Sequence, residues 1–281
     1  MRIAFLVQAS RTDPLGPGLA RVTAETLARL RERGAQVDVV VAGAEVLDVA
    51  ALTLIKPQHD LYVLKSKSPL THSLAGALEV AGAPVVNSFT ASMLTWDKLA
   101  TTRVLAAAGV PVPASWASGR ADRFAPLLDG GALWIKPQHG KSGSGVRRVT
   151  HATELGASTE ALDPYGFPLP LFAQRDVPSG GRDFKVYVIG DRMWSMTKPW
   201  PPPTPGDKSG TPVPLPPAMG EAALTAGRAL GLDLYGVDFL VPPEAPEAFA
   251  VVDVNAFPGY NGLAEAPAAL ADYLYQRAGG Q

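Results

Sequence analysis

The stretch Asp253-Val254-Asn255-Ala256-Phe257-Pro258-Gly259-Tyr260 decides how this chain is read. Residues two apart on a strand face the same way, so Asp253 and Asn255 project together. A second apolar strand is predicted at 235–241 and carries Asp238 between Val237 and Phe239. If the two strands lie side by side, two carboxylates and an amide oxygen converge on one sheet face among apolar neighbours. Carboxylates in such surroundings need a cation or hydrogen-bond donors. Magnesium suits Asp238, Asp253 and Asn255, because it takes one or two carboxylates and completes its octahedron with water and phosphate oxygens. The competing reading keeps these residues as strand-end acids satisfied by turn amides.

Upstream stands Lys136-Pro137-Gln138-His139-Gly140-Lys141-Ser142-Gly143-Ser144-Gly145, a lysine at a strand end followed by a glycine-rich loop. Amides of Gly140, Ser142, Gly143, Ser144 and Gly145 can approach phosphate oxygens closely, and Lys136 adds a point charge. The fragment Gly140-Lys141-Ser142 is not a P-loop: position 135 is Ile where that motif needs glycine, and a strand follows instead of a helix. A ligand-free glycine hairpin is the alternative. The apolar run 171–174 leads into Gln174-Arg175-Asp176-Val177, which can offer backbone groups to a base edge. In 183–188 strict alternation puts Asp183 and Lys185 on one face.

The N-terminal third alternates strand and helix: strand 3–7, helix 21–33 ended by Gly34, strand 37–41, strand 61–64, helix 70–81 ended by Gly82, and Val85-Val86. This predicts a small open α/β sheet over 1–88. A helix is predicted over 96–108, and Val110-Pro111-Val112-Pro113 forbids its continuation. Short strands then dominate, at 133–136, 145–149, 171–174 and 184–189, with a hairpin turn at Gly190-Asp191. The proline-rich segment 199–217 is either a substrate-facing loop or an inconsequential mobile one. A helix at 218–230, a strand at 250–254 and a final helix ending near 277 complete the chain. The expected division is 1–88, 89–177 and 178–281.

Composition narrows the partners. With 281 residues, 47% of them hydrophobic, the chain can bury the cores of two or three lobes. Twenty-five Lys and Arg against 26 Asp and Glu leave no footprint for nucleic acid or anionic membrane, so small molecules are the expected partners. The absence of cysteine excludes disulfides, thiolate zinc sites and a cysteine nucleophile. The opening apolar run is a strand and not a signal peptide, and no apolar run nears the ~20 residues of a membrane span, so a soluble, cytoplasmic protein is expected.

The order of these pieces, Asp97-Lys98, Lys136 with its glycine loop, 174–177, Asp183-Phe184-Lys185, Asp238 and 253–259, resembles the ATP-grasp superfamily over residues 85–275. The resemblance implies an ATP-grasp fold preceded by an α/β domain, and ATP with Mg2+ between two α+β lobes. It implies that Lys98 and Lys136 hold the nucleotide phosphates, and that Gln174, Arg175 and Val177 form the adenine hinge. Asp183 would contact the ribose, and Asp238, Asp253 and Asn255 would bind the metal. Gly259, Tyr260, Asn261 and Gly262 would meet the acceptor. Homodimers are common in that family. Members that join carboxylates to amines, such as the ribosomal-protein glutamate ligases, carry arginine at the place of Lys185 and glutamate at the place of Asp253. The strings 184–190 and 255–260 are also similar to inositol trisphosphate kinases.

The reading that follows is an ATP-dependent carboxylate–amine ligase working through an acyl phosphate, with Lys136 and Lys185 as catalytic groups. Phosphoryl transfer to a polyol hydroxyl is the runner-up. A highly phosphorylated acceptor would need a dense basic pocket, yet Arg228 and Arg277 are the only cations of 215–281. A third possibility is a nucleotide-binding module without turnover, against which the retained lysines and metal ligands argue. Lys198, at the end of an alternating strand, and Lys208, within the proline-rich segment, either meet the phosphates or stand in solvent.

Overall fold

The computed structural model describes residues 1–10, 17–44, 58–138, 145–157, 170–200 and 210–280. The first segment builds β1 (Arg2–Val7), α1 (Arg21–Glu32), β2 (Gln36–Val41), β3 (Leu61–Lys65), α2 (Pro69–Val80) and β4 (Val85–Val86). Its sheet is wholly parallel, in the order β2-β1-β3-β4. Parallel strands covered on both faces read as continuous apolar runs, and β1 does. Ile3, Phe5 and Val7 join the core that contains Val22, Leu27 and Leu30 of α1. Ala4 and Leu6 face the opposite way, toward Leu74 and Leu78 of α2.

Two helices follow, α3 (Phe89–Trp96) and α4 (Lys98–Ala107), where one was expected over 96–108. Asp97 makes the break: its Oδ1 accepts from the amides of Leu99 at 2.9 Å and Ala100 at 3.1 Å, an N-cap that starts α4 afresh. Ser88 caps α3 in the same manner, accepting from Ala91 at 3.1 Å. These two polar residues are the signals that an apolar periodicity does not carry.

The middle sheet is antiparallel, β5-β8-β6-β7, from β5 (Ser115–Ser118), β6 (Leu133–Pro137), β7 (Arg147–Val149) and β8 (Leu171–Arg175). The last sheet runs β11-β10-β9-β12-β13, from β9 (Arg182–Ile189), β10 (Arg192–Pro199), β11 (Thr211–Pro212), β12 (Leu234–Leu240) and β13 (Ala250–Ala256). The expected hairpin turn joins β9 to β10, with Gly190 at φ +57. α5 (Pro217–Leu230) packs on this sheet through Ala222, Ala223 and Ala226, and α6 (Ala266–Arg277) lies against α1.

The first and last segments share a core. Leu270 and Leu274 of α6, with Tyr260 and Ile189, sit in the cluster that holds Phe5 and Leu30. Asn87, 1% exposed, stitches the same junction: its Nδ2 donates to Leu234 O at 2.6 Å, and its Oδ1 accepts from Asp233 N at 2.9 Å and Leu234 N at 3.0 Å. Groups at the C-terminal end of the parallel sheet are thereby held against the start of β12. No helix among the described residues is long and apolar enough to cross a membrane.

Candidate active site

Three strands set one row of charge. β12 is flanked by β9 and β13, and its Asp238 is the register partner of Lys185 on one side and Asp253 on the other. Directly opposed side chains share a face, so the three groups meet. Lys185 Nζ donates to Asp238 Oδ1 at 2.6 Å. Asn255 Nδ2 donates to Asp253 Oδ2 at 2.9 Å and to Asp238 Oδ2 at 3.2 Å. Burial, then repulsion from Asp238, raises the Asp253 carboxyl above its ordinary value, although Lys98, Lys136 and Lys185 pull the other way. Burial opposes the Lys185 charge, but Asp238 prevails and raises its pKa.

This donor set fits a hard divalent cation. Asp253 is half-buried, in an environment that disfavours its charge, which a metal would relieve. A half-turn of the Asn255 amide exchanges Nδ2 for Oδ1, so the atom now bridging the carboxylates becomes a third oxygen ligand. Among the described residues no three His, Cys, Asp or Glu side chains gather into a metal site. The set is two carboxylates completed by an amide, short of oxygens in the way magnesium leaves room for phosphates and water.

Across from the row stands the middle sheet. Strand alternation puts Leu133, Ile135 and Ala173 in that sheet's own core and turns Trp134, Lys136 and Gln174 to the other face. Lys136 Nζ donates to Gln174 Oε1 at 2.6 Å, and Gln174, 3% exposed, also donates to Ser115 Oγ at 3.5 Å. Burial lowers the Lys136 ammonium to about 8. Asp253, Asp238 and Asp183 resist that fall, and Lys98 adds to it, so Lys136 feels the whole row. Lys98, first residue of α4, is likewise lowered by burial and supported by Asp253 and Asp97. Its Nζ donates to Gln138 O at 3.4 Å, and Gln138 Nε2 donates to Asp97 Oδ2 at 2.6 Å. Asp183 is raised to about 6, by burial first and Asp238 second, with Lys198 3.9 Å away.

The remaining expected site residues divide. Arg175 belongs to the opposite face of β8: its guanidinium donates to Leu127 O at 2.9 Å and to Gly131 O, and lies over the Trp116 ring. Its amide is bonded to Ala114 O at 2.8 Å, so neither group is turned to a base. Val177 lies just past the end of β8. Tyr260 is fully buried, and its hydroxyl donates to Val188 O at 3.0 Å, so its side chain is a pillar under β9 and not an acceptor contact. Asn261 O accepts from Tyr187 Oη at 3.4 Å, the Asn261 amide folds over Gly259, and Gly262 sits at φ +83 against Met196. Gly145 has φ +72 and stands so close to Pro137 that a Cβ would lie 2.9 Å from its ring. Gly140, Ser142, Gly143 and Ser144 of the glycine loop, and Lys208, lie outside the described residues. Tyr260→Phe is expected to lower stability by about 1 kcal/mol, the worth of one buried hydrogen bond; denaturant unfolding reads the loss, with the KM for ATP unchanged.

The residue that sequence reasoning missed is Lys65. Its Nζ donates to Phe257 O at 2.5 Å and Pro258 O at 2.9 Å and stands 4.5 Å from the Phe257 ring centroid. Phe257 adopts φ +37, an unusual backbone for an aromatic residue, and its carbonyl is received by this ammonium. The available signal was position: Lys65 ends a strand of an open parallel sheet, where such sheets bind ligands. A cavity of about 250 Å3 opens here, walled by Lys65, Leu64 and Thr23 from the first segment, Lys98 from α4, and Asp253 and Asn255 from β13. None of Gly259, Tyr260, Asn261 and Gly262 lines it.

Residues 206–276 match the family model of the inositol 1,3,4-trisphosphate 5/6-kinase ATP-grasp domain. A protein of Marinobacter nauticus named "Probable alpha-L-glutamate ligase" is 30% identical over 200 residues, 67% of this chain. The chain spans just under two thirds, 64%, of that relative's length. A protein of the same name from Shewanella loihica is 26% identical over 264 residues, 85% of each chain. Among solved structures, a RimK domain ATP-grasp protein of Sphaerobacter thermophilus superposes with a TM-score of 0.73 at 18% identity, over 97% of this chain and 99% of that one. The chain has the ATP-grasp fold, the fold of the superfamily whose kinase-domain model matches residues 206–276. Within it, the relatives it resembles at the level of sequence carry the name of glutamate ligases.

Proposed function

We propose that this protein is an ATP-dependent ligase that joins a carboxylate to an amine through an acyl phosphate. The observation that carries the reading is the apposition of Lys136 and Lys98 to the Asp238, Asp253 and Asn255 row across the cleft. ATP lies in that cleft with its phosphates on Lys98 and Lys136, Gln174 toward the base and Asp183 toward the ribose. Asp238, Asp253 and Asn255 would hold magnesium, which when bound would supply positive charge to offset the phosphate oxygens. A carboxylate oxygen of the acid forms a bond to the γ-phosphorus while the bond to the β-phosphate oxygen breaks, and ADP leaves. The amine then attacks the acyl carbon, inorganic phosphate departs, and the amine gives up its proton. Lys136 offsets charge on the transferring group, and Lys185 holds Asp238 in place beside it. The lineage of glutamate ligase relatives supports the C–N bond as product.

Lys136 sets a pH signature. Its charged form binds phosphate and is depressed to about 8 in the nucleotide-free protein. The ammonium is therefore full below that value and lost above it. The KM for ATP should be flat below pH 7.5 and rise up to about tenfold per pH unit above 8, read from initial rates in a buffer series.

The kinase reading is favoured by one finding, the family-model match over 206–276. Against it, the described cavity lining holds lysines and no arginine, whose fork suits clustered phosphates. Magnesium-ATP, candidate acids and hydroxylamine separate the two. A hydroxamate released with phosphate supports the ligase; a stable phosphorylated product without free phosphate replaces it with the kinase. We keep 1–88, 89–177 and 178–281 as the working domain division, and a small acceptor in a cytoplasmic setting as the working context.

A further inference from the structure

The cavity beside the metal row has polar groups that the reaction scheme leaves unused. Thr23 is 2% exposed and Ser92 5%, and both line it. Among the described residues neither hydroxyl has a hydrogen-bond partner, and neither is sealed from the cavity. Their neighbours behave differently: Thr26 closes its hydroxyl on Val22 O at 2.7 Å, and Thr95 closes on Ser92 O at 2.9 Å. Buried hydroxyls left open toward a cavity are set for a ligand or an ordered water.

Two further features give that ligand its sign. α1 begins at the cavity, and Ala20 at its N-cap offers no side chain to the first amides, which have no intrahelical partner. Among the described residues the ionised lining is unequal as well: Lys65, Lys67 and Lys98 face the cavity against Asp253, whose charge belongs to the metal row. Lys67 lies two residues past Lys65, the last residue of β3, and lines the same cavity as Ala20 and Thr23. A volume near 250 Å3 falls below the ~300 Å3 at which ordinary ligand pockets begin, so one amino-acid-sized molecule fills it.

Resting on the ligase reading, we propose that this cavity seats the acid to be activated, and that the acid is a small one carrying a second anionic group. One carboxylate reaches the metal row. The second anionic group is received by Lys67 and the first turn of α1, with the Thr23 hydroxyl as hydrogen-bond donor and Ser92 beside it. Thr23 and Lys67 are thus specificity-determining residues of the N-terminal segment, remote in sequence from every motif of the nucleotide site.

The test is calorimetric titration of the full chain with magnesium and the non-hydrolysable analogue AMP-PNP present, using succinate and glutarate as dianionic probes and butyrate as the monoanionic one. At least one dicarboxylate is expected to bind about tenfold or more tightly than butyrate, the worth of one charge-assisted hydrogen bond. Lys67→Gln and Thr23→Val should each erase most of that preference, Thr23→Ser should retain it, and AMP-PNP affinity should not change in any of them. Equal affinity for the three acids, or no dicarboxylate binding while AMP-PNP binds normally, overturns the proposal and leaves the nucleotide site standing. Failure of AMP-PNP to bind overturns the nucleotide reading, and the acid site with it.

Discussion

Lys136→Met is expected to raise the KM for ATP by about a hundredfold, with little change in thermal stability. A hydrogen bond to an ionised group is worth roughly 1.5–3 kcal/mol, and this one meets a polyanion in a buried setting. Methionine keeps most of the volume and removes an ammonium that burial already disfavours. What it costs the folded protein is the partner of Gln174 Oε1, now held at 2.6 Å. Gain and loss are of similar size, so the melting temperature should move by a few degrees at most. Initial rates against ATP concentration, alongside a melting curve, check both halves. An unchanged KM would remove Lys136 from the nucleotide site and with it the carrying observation of the proposed function.

Asp253→Asn should separate activity from stability most sharply. The substitution removes a metal-binding carboxylate at the centre of the row, and a fall in kcat of about a thousandfold is expected, comparable to deleting a preorganised electrostatic group. Stability should move the other way. Asp253 is an acid whose folded-state pKa is raised, so above the unfolded value its ionisation is disfavoured in the folded chain and weighs against folding. That penalty is present above the folded value and disappears as pH falls below the unfolded one near 4. The variant should therefore melt higher than the parent at pH 7 to 8 without metal, by roughly 2–4 °C for each kcal/mol relieved, and the difference should close on acidification. Melting curves at pH 4 and 7.5, with and without magnesium, test this. Magnesium should raise the parent's melting temperature and leave the variant's unmoved.

Much of the fold is visible in local pattern. β1 reads as a strand because both faces are covered, and Gly34 and Gly82 follow the ends of α1 and α2 with left-handed φ of +82 and +83. The break between α3 and α4 is less visible, because it is made by one side chain, Asp97, serving the start of α4 and Gln138 at once. Arg175 shows the same limit in reverse. Adjacent to Gln174 in sequence, it belongs with it in any motif, yet strand alternation sends the two side chains to opposite faces. Tyr260 sits between Gly259 and Asn261 in a loop, and its complete burial comes from its packing with α6 and β9.

That Asp253 and Asn255 share a face was legible from spacing alone, since a period of two fixes which side chains of a strand point together; Asp238 joins them only through the pairing of β12 with β13. Also legible were Lys136 at the end of β6 and the alternation of Asp183 with Lys185. Pairing partners are another matter: that Lys185 faces Asp238 depends on β9 and β12 lying in register, a contact across 53 residues. Lys65 and Thr23 enter the site only because a parallel sheet and its first helix are packed against the last sheet, through Asn87, Lys65 and a shared core. Local sequence dictates backbone periodicity and which way each side chain points. Which distant surfaces those side chains meet is set by the burial of apolar faces between segments, and no window of neighbouring residues records it.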